Sequence, residues 1–384
     1  MKTQPYENYL KKHCRYCGQD LTQPFLDLGA MPLANSYVTK EGLDQEEFQC
    51  PLSLTWCSNC GLVQLTHVVP PSLMFSHYLY VSSTTQTFRN HFADYAKAIK
   101  EKLPRRQHYL AIDIGSNDGL LLSCYQKVGM KAVGIEPARN LSDEANRQGL
   151  CTINRYFDTA CVHQVLRECG PADVISANNV FAHIDDISGV CRNVRTLLRD
   201  DGMFVIEFPY LGVMLEKLCF DMIYHEHLSY IAVHPLNFIL GRFGLEIWDI
   251  QEVASHGGSL RVFIGKTEGC YLKSPIIQEW IAEEETNGYL TPVPYKQFAG
   301  KVQKVKQDFL DWVHTIKASR QSIAGYGAPA KASTIINYYG LSRAEIDYIV
   351  DDNPLKQNLF VPGARIPIVS SSYLEAHPPD YIVI

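Results

Sequence analysis

Residues 224–227 read Tyr-His-Glu-His, a phenol, two imidazoles and a carboxylate in four consecutive positions. Such a cluster could bind a metal, pack a core, or move protons. A zinc-protease helix needs His-Glu-x-x-His, which stacks its two histidines one turn apart on one face. His225 and His227 are only two apart. On a helix they diverge by about 200°, and on a strand they share a face with Glu226 opposite. The spacing argues against a metal site and leaves core packing and acid–base chemistry open. His183, in "NNVFAHIDD", follows the carboxyl end of an expected strand, where a doubly wound sheet carries its working residues.

Four of the twelve cysteines form a second constellation. Cys14 and Cys17 in "CRYCG", and Cys57 and Cys60 in "CSNCG", are two Cys-x-x-Cys turns, each followed by glycine. Two such turns complete a tetrahedral four-sulfur shell. Four protein ligands leave no open position for a reacting water, so this zinc is expected to hold structure only. The other eight cysteines are scattered singly and read as small buried hydrophobes.

Two glycine turns form the third signal. "DIGSNDG" places Asp113, Gly115, Asn117 and Gly119 after an apolar run. It lacks the Lys-Ser/Thr of a nucleoside-triphosphate loop, and Asn117 and Leu120 break Gly-x-Gly-x-x-Gly. A pyrophosphate would be repelled by Asp113, whereas a ligand with a cationic centre and an amino-acid tail would tolerate it. Glu136, ending the next strand, is placed to take two ribose hydroxyls. S-adenosylmethionine has all of these parts. "GYGAPAK" places Gly325, Tyr326, Gly327 and Lys331 after another apolar strand, a candidate for a sugar diphosphate at a helix amino end. Pro329 and Ala330 stand where a dinucleotide fingerprint needs its last glycine.

These residues need elements to position them. "FLDLGAMPLANSYV", inside the 39-residue spacer between the cysteine pairs, reads as a strand with a loop. From Pro70 to about Pro104 the pattern is helical, with apolar residues in "FRNHFADYAKAIKEKL" recurring at three and four. Strands at "HYLAIDI", "KAVGIEP", "ADVISANNV" and "GMFVIEF" alternate with helices, the pattern of a parallel, doubly wound sheet. "LEIWDIQEV" and "SLRVFIGK" read as a closing antiparallel hairpin. Beyond Gly269 the chain is amphipathic helix to about Ser319, and then a second strand–glycine–helix unit follows. The predicted class is α/β in three parts: residues 1–80 a small zinc-binding domain, 81–268 a central Rossmann-like domain carrying the turn suited to S-adenosylmethionine, and 269–384 a second Rossmann-like α/β domain.

Apolar residues make up 46% and charged residues 20% of the 384, so the chain has ample material for real cores. A net charge of −6 lacks the basic footprint of nucleic-acid binding. No apolar run reaches the ~18 residues of a membrane span, and the start has no apolar signal core. The cytoplasm, reduced thiols and a monomer are the expectation.

Taken together, "CRYCG" with "DLGAMPLAN", "CSNCGLVQL", "YLYVSST", "DIGSNDG", "NNVFAHIDD", "YHEHLSY", "HGGSLR" and "GYGAPAKAST" resemble the three-domain sugar C-methyltransferases of tetronitrose and mycarose type. The resemblance covers nearly the whole chain. It implies S-adenosylmethionine in the middle domain, near Asn178 and Asn179 as well as the first glycine turn. It also implies a nucleotide-linked 4-keto sugar between that domain and the last, near His256 and Arg261 as well as the second turn. Carried over position by position, Tyr78, His183, Tyr224, Glu226 and His227 match the family's active-site motifs. His227 is then the expected base, with His225 structural. A nicotinamide-dependent sugar dehydrogenase or epimerase using the turn at 325, and an inactive zinc-ribbon binding module, are the competing readings.

Overall fold

The computed structural model describes residues 6–75, 83 and 85–384. Tyr78 lies outside them, as does the side chain of His256. Three sheets organise the described residues.

The first sheet is antiparallel and runs Leu26–Pro32, Gln49–Trp56, Val63–Leu65 and Ser229–Tyr230. The spacer between the cysteine pairs therefore holds two strands where one was expected. Its fourth strand comes from the middle of the chain, directly after the Tyr-His-Glu-His segment. Two residues are too few to give a periodic signal, and only the long-range pairs Gln64 to Ser229 and Val63 to Tyr230 define it.

The central sheet has the order Leu245–Val253, Ser259–Lys266, Leu198–Pro209, Ala172–Asn178, Leu110–Ile114, Lys131–Ile135, Thr152–Ile153. The last five are parallel, and the first two form the expected antiparallel hairpin. From Leu110–Ile114 the chain winds outward to Thr152–Ile153 and then returns to the other side, through Ala172–Asn178. The strand order thus reverses between Leu110–Ile114 and Ala172–Asn178, where a doubly wound sheet opens a crevice at its carboxyl edge. The helix Gln86–Lys102 starts with Thr85 accepting from the Phe88 amide at 3.3 Å and stops before Pro104. Its buried stripe is Phe92, Tyr95, Ala96 and Ile99, the spacing read from sequence.

The third sheet, all parallel, has the order Ile368–Val369, Ile349–Val350, Ile323–Tyr326, Tyr381–Val383. The long amphipathic stretch before it is two helices, Ile276–Thr286 and Val293–Ala318. They part at Gly288, whose φ of +74° turns the chain, and at Pro292, which cannot continue a helix.

Candidate active site and zinc centre

A cavity of about 970 Å³ opens at the switch point and is lined by residues of all three parts of the chain. On one side it meets Gly115, Asn117, Glu136, Asn178 and Asn179. Gly115 has φ +67°, and a Cβ there would stand 2.5 Å from Val180 Cγ2, so only glycine fits. Glu136 accepts from the Asn117 amide at 2.9 Å and the Ala138 amide at 2.8 Å. A carboxylate has about four acceptor sites, which leaves capacity for hydroxyl donors. Around this turn the buried Ser116 Oγ, Asp118 Oδ1, Asn179 Oδ1 and both side-chain polar atoms of Asn178 have no hydrogen-bond partner among the described residues. Unpaired polar atoms on that scale are unusual in a native core, and those of Asn178 and Asn179, which line the cavity, fit a ligand with both donors and acceptors.

Asp113 and Gly119 do not reach the cavity. Ser176 Oγ donates to Asp113 Oδ1 at 2.6 Å inside the sheet. Burial pushes the Asp113 carboxyl up to about 7, against the lowering effect of Ser176 and with the Glu136 charge adding to the rise. Gly119, at φ +81°, starts the next helix so close to Leu150 that a Cβ would sit 2.5 Å from its Cδ1. Its role is packing.

The facing wall carries Tyr224, His227 and His183. His227 Nδ1 is 2.8 Å from the Met222 carbonyl. A carbonyl only accepts, so Nδ1 carries the proton and Nε2 keeps its lone pair. The Tyr224 hydroxyl donates to that Nε2 at 2.8 Å. The rings of His183 and His227 meet edge-on with centroids 4.8 Å apart. Glu226 is buried beside the cavity and accepts from Asn35 Nδ2 at 2.6 Å. His225 turns the other way: its Nε2–H donates to the Cys50 carbonyl at 3.0 Å, and burial pushes its pKa down to about 4. The two histidines therefore separate into an anchor in the first sheet and a cavity group, which the spacing alone had left open.

The second glycine turn is a different object. Gly325, Tyr326 and Gly327 lie off the cavity. The Gly325 and Gly327 amides donate to the carbonyls of Tyr348 and Val350, and the Ala328 amide donates to Asp351 Oδ2 at 2.8 Å. A carboxylate of the chain stands where a phosphate would need to be, which removes support for a nicotinamide cofactor there. Tyr326 donates to Asp352. Only the continuation of the turn, Pro329, Ala330 and Lys331, reaches the cavity, and Lys331 Nζ is 3.8 Å from Asp221. Arg261 is also turned away: it pairs with the buried Glu207 at 3.0 Å and lies over the Tyr95 ring.

Sequence reasoning assigned no role to Asn35, Tyr37, Arg155, Tyr156 and Lys356, which the structure brings to the cavity. Arg155 and Tyr156 follow the strand Thr152–Ile153, and a strand's carboxyl end would have marked them had two residues been enough to reveal it.

At the other end of the first sheet, the sulfurs of Cys14, Cys17, Cys57 and Cys60 all lie within 4.8 Å of one another. Tetrahedral Zn–S bonds of 2.3 Å require sulfurs about 3.8 Å apart. The two turns match: the Gly18 amide donates to the Cys14 carbonyl and Gly61 to Cys57, with glycine φ of +77° and +78°.

Residues 14–75 match a zinc binding domain family, 88–250 a methyltransferase domain family, and 254–384 the C-methyltransferase C-terminal domain. The C-methyltransferase NovU of Streptomyces niveus is 34% identical over 371 residues, 97% of this chain and 88% of that protein. The chain belongs to this C-methyltransferase family. Solved structures show weaker likeness. The magnesium protoporphyrin IX methyltransferase of Synechocystis with bound SAM is 14% identical, TM-score 0.35, over 47% of this chain and 79% of that one. A methyltransferase of Listeria monocytogenes is 14% identical, TM-score 0.37, over 46% and 99%. The protein is thus an S-adenosylmethionine-dependent C-methyltransferase with a four-cysteine zinc site. No helix among its described residues is long and apolar enough to cross a membrane.

Proposed function

We propose that this C-methyltransferase acts at C-3' of a nucleotide-linked 4-keto-6-deoxy sugar, with a dTDP or GDP carrier, through an enolate. The observation that carries the reading is the Tyr224–His227 pair, 2.8 Å apart and facing the same cavity as Gly115 and Glu136. Methylation at carbon needs a carbanion equivalent, which a ketone supplies when the adjacent C–H is deprotonated. His227 Nε2 is the base: the Met222 carbonyl holds the proton on Nδ1 and leaves the Nε2 lone pair facing the cavity. Tyr224 holds the Nε2 lone pair while no substrate is bound, and its hydroxyl then turns to donate to the ketone oxygen as charge gathers there.

The C–H electron pair becomes the enolate, the proton passes to Nε2, and the enolate carbon forms the new C–C bond. Gly115, Asn117, Glu136, Asn178 and Asn179 would hold S-adenosylmethionine, which would supply the electrophilic methyl group for that bond from a sulfonium centre that ends as a neutral thioether. His183, edge-on to His227, keeps that ring in place and borders the sugar. Glu226, steadied by Asn35, fixes the same segment from behind. Tyr78 is a further contact carried over from the motifs. Lys331 and the amino end of its helix take the diphosphate. Domain roles follow: residues 1–80 zinc and scaffold, 81–268 methyl donor, 269–384 nucleotide sugar.

The test is mass spectrometry after incubation with S-adenosylmethionine and a panel of dTDP- and GDP-linked 4-keto sugars. A gain of one methyl on one panel member is expected, and no gain on any would exclude this substrate class.

A further inference from the structure

Arg15, the residue directly after the first zinc ligand, is hydrogen-bonded to two segments of the cavity wall. Arg15 is buried, its side chain 4% exposed, and its backbone amide donates to Gln64 Oε1 at 3.0 Å in the first sheet. Its guanidinium donates through one NH2 group to the Ile184 carbonyl at 2.9 Å. Through the other it donates to the Leu228 carbonyl at 2.7 Å and to Ser229 Oγ. Ile184 directly follows His183, and Leu228 directly follows His227. Between the same two loops, the Leu228 amide donates to the Ala182 carbonyl at 2.9 Å. Both histidine loops are therefore fastened to one planar group, and that group is fastened to the zinc turn at Cys14 and Cys17.

We infer that Arg15 is a positioning residue: it sets the distance and angle between the His183 and His227 loops, and makes the zinc turn part of the frame that holds the proton-transfer pair. The inference rests on the reading of Tyr224 and His227 as that pair. A guanidinium suits the task because its fork offers several donors at fixed angles, whereas an ammonium on a flexible stem cannot serve both carbonyls in one geometry. A displacement of about 1 Å in such a pair is enough to lose ~10²-fold in rate. The link also gives the zinc turn a part in the active site although its metal has no open position for chemistry.

The test uses the full-length, zinc-loaded protein with Arg15→Lys and Arg15→Ala. The first readout is ring-nitrogen NMR of histidine, with the His227 signal assigned by its loss in His227→Gln. In the parent it should show a neutral ring protonated at Nδ1. In Arg15→Lys zinc should remain at the parent stoichiometry and S-adenosylmethionine affinity should stay within about twofold, while the single-tautomer signature of His227 is lost. With an accepted substrate, kcat should fall about 10²-fold with KM changed little, and added guanidinium ion should restore part of the rate in Arg15→Ala. An unchanged His227 signature in both variants would overturn the proposal. So would loss of zinc from Arg15→Lys, which would make the residue a folding element of the turn. The NMR readout needs no substrate, so a panel in which no sugar is methylated would sink the substrate reading while leaving this result to stand or fall alone.

Discussion

Two strand–glycine–helix turns of this chain look alike as text and differ as sites. After Leu110–Ile114, Gly115 folds back beneath Val180, and beside it the side-chain polar atoms of Asn178 and the Oδ1 of Asn179 find no hydrogen-bond partner among the described residues. After Ile323–Tyr326, the turn amides are spent on Tyr348, Val350 and Asp351. A glycine turn is a ligand site where its polar groups are left unmatched by the fold, and a structural joint where the fold has already matched them. The single residue that makes the difference in the second turn is Asp351, a built-in anion.

The largest expected effect comes from the first turn. Gly115→Ala combines left-handed strain of about 1–2 kcal/mol with a Cβ placed 2.5 Å from Val180, and should reduce S-adenosylmethionine affinity on the order of 10²-fold or more by calorimetry. Gly327→Ala has φ +93° but no atom nearer than Pro329 Cδ at 3.7 Å, and should cost about 1 kcal/mol of stability with methyl-donor affinity unchanged. Equal losses of affinity would erase the distinction between the turns.

The acids beside the turns come next. Glu136→Ala should weaken the methyl donor by about 1–3 kcal/mol, the cost of unmatched buried partners. Asp351→Ala should leave that affinity alone and instead lower the denaturation midpoint, because the Ala328 and Asn353 amides both lose their acceptor.

A pH series sharpens the same contrast. Asp113 is pushed up to about 7 from 3.8, chiefly by burial, so the folded protein binds a proton there that the unfolded chain has released. Its contribution is intact below pH 4 and is lost as pH rises through about 7. Asp113→Asn should remove that loss, so that the stability difference between variant and parent grows between pH 4 and 7 and is largest above 7 in chemical denaturation. His225 runs the other way: held down near 4 by burial, it favours folding above pH 6.5 and destabilises as pH falls toward 4.

The smallest effect belongs to Lys331. Partly exposed and 3.8 Å from Asp221, it should raise KM for the nucleotide sugar about two- to fivefold on replacement by alanine, with kcat nearly kept. If the methyl donor weakens instead, Lys331 belongs to the methyl-donor side of the cavity.

Much of this was readable before any coordinates. The alternation of strands and helices, the cysteine turns and the apolar stripe of Gln86–Lys102 are local patterns, and each appears where its period or spacing put it. The site was readable only where a residue's place followed from its neighbours in sequence: Gly115 and Glu136 reach the cavity because each directly follows a strand of the switch point. Arg261 did not, because its partner Glu207 lies 54 residues away and a buried carboxylate outcompetes solvent for a guanidinium. The turn at 325 misled for the same reason, since Asp351 comes from the next strand. The split between His225 and His227 depended on a strand of two residues and on Arg15, whose partners lie 169 and 213 positions away. No periodicity records such contacts.

The most direct measurement of the account is solvent exchange at the substrate's C-3 hydrogen, with a cofactor analogue that cannot methylate. The parent should exchange that hydrogen for deuterium. His227→Asn should keep both ligands and lose exchange by ~10²–10⁴-fold, the usual cost of removing a general base, while Tyr224→Phe should lose less. Exchange that survives His227→Asn and vanishes in Tyr224→Phe would reverse the two roles. Exchange and methylation near the parent rate in both variants would contradict the account outright and return Tyr-His-Glu-His to the core.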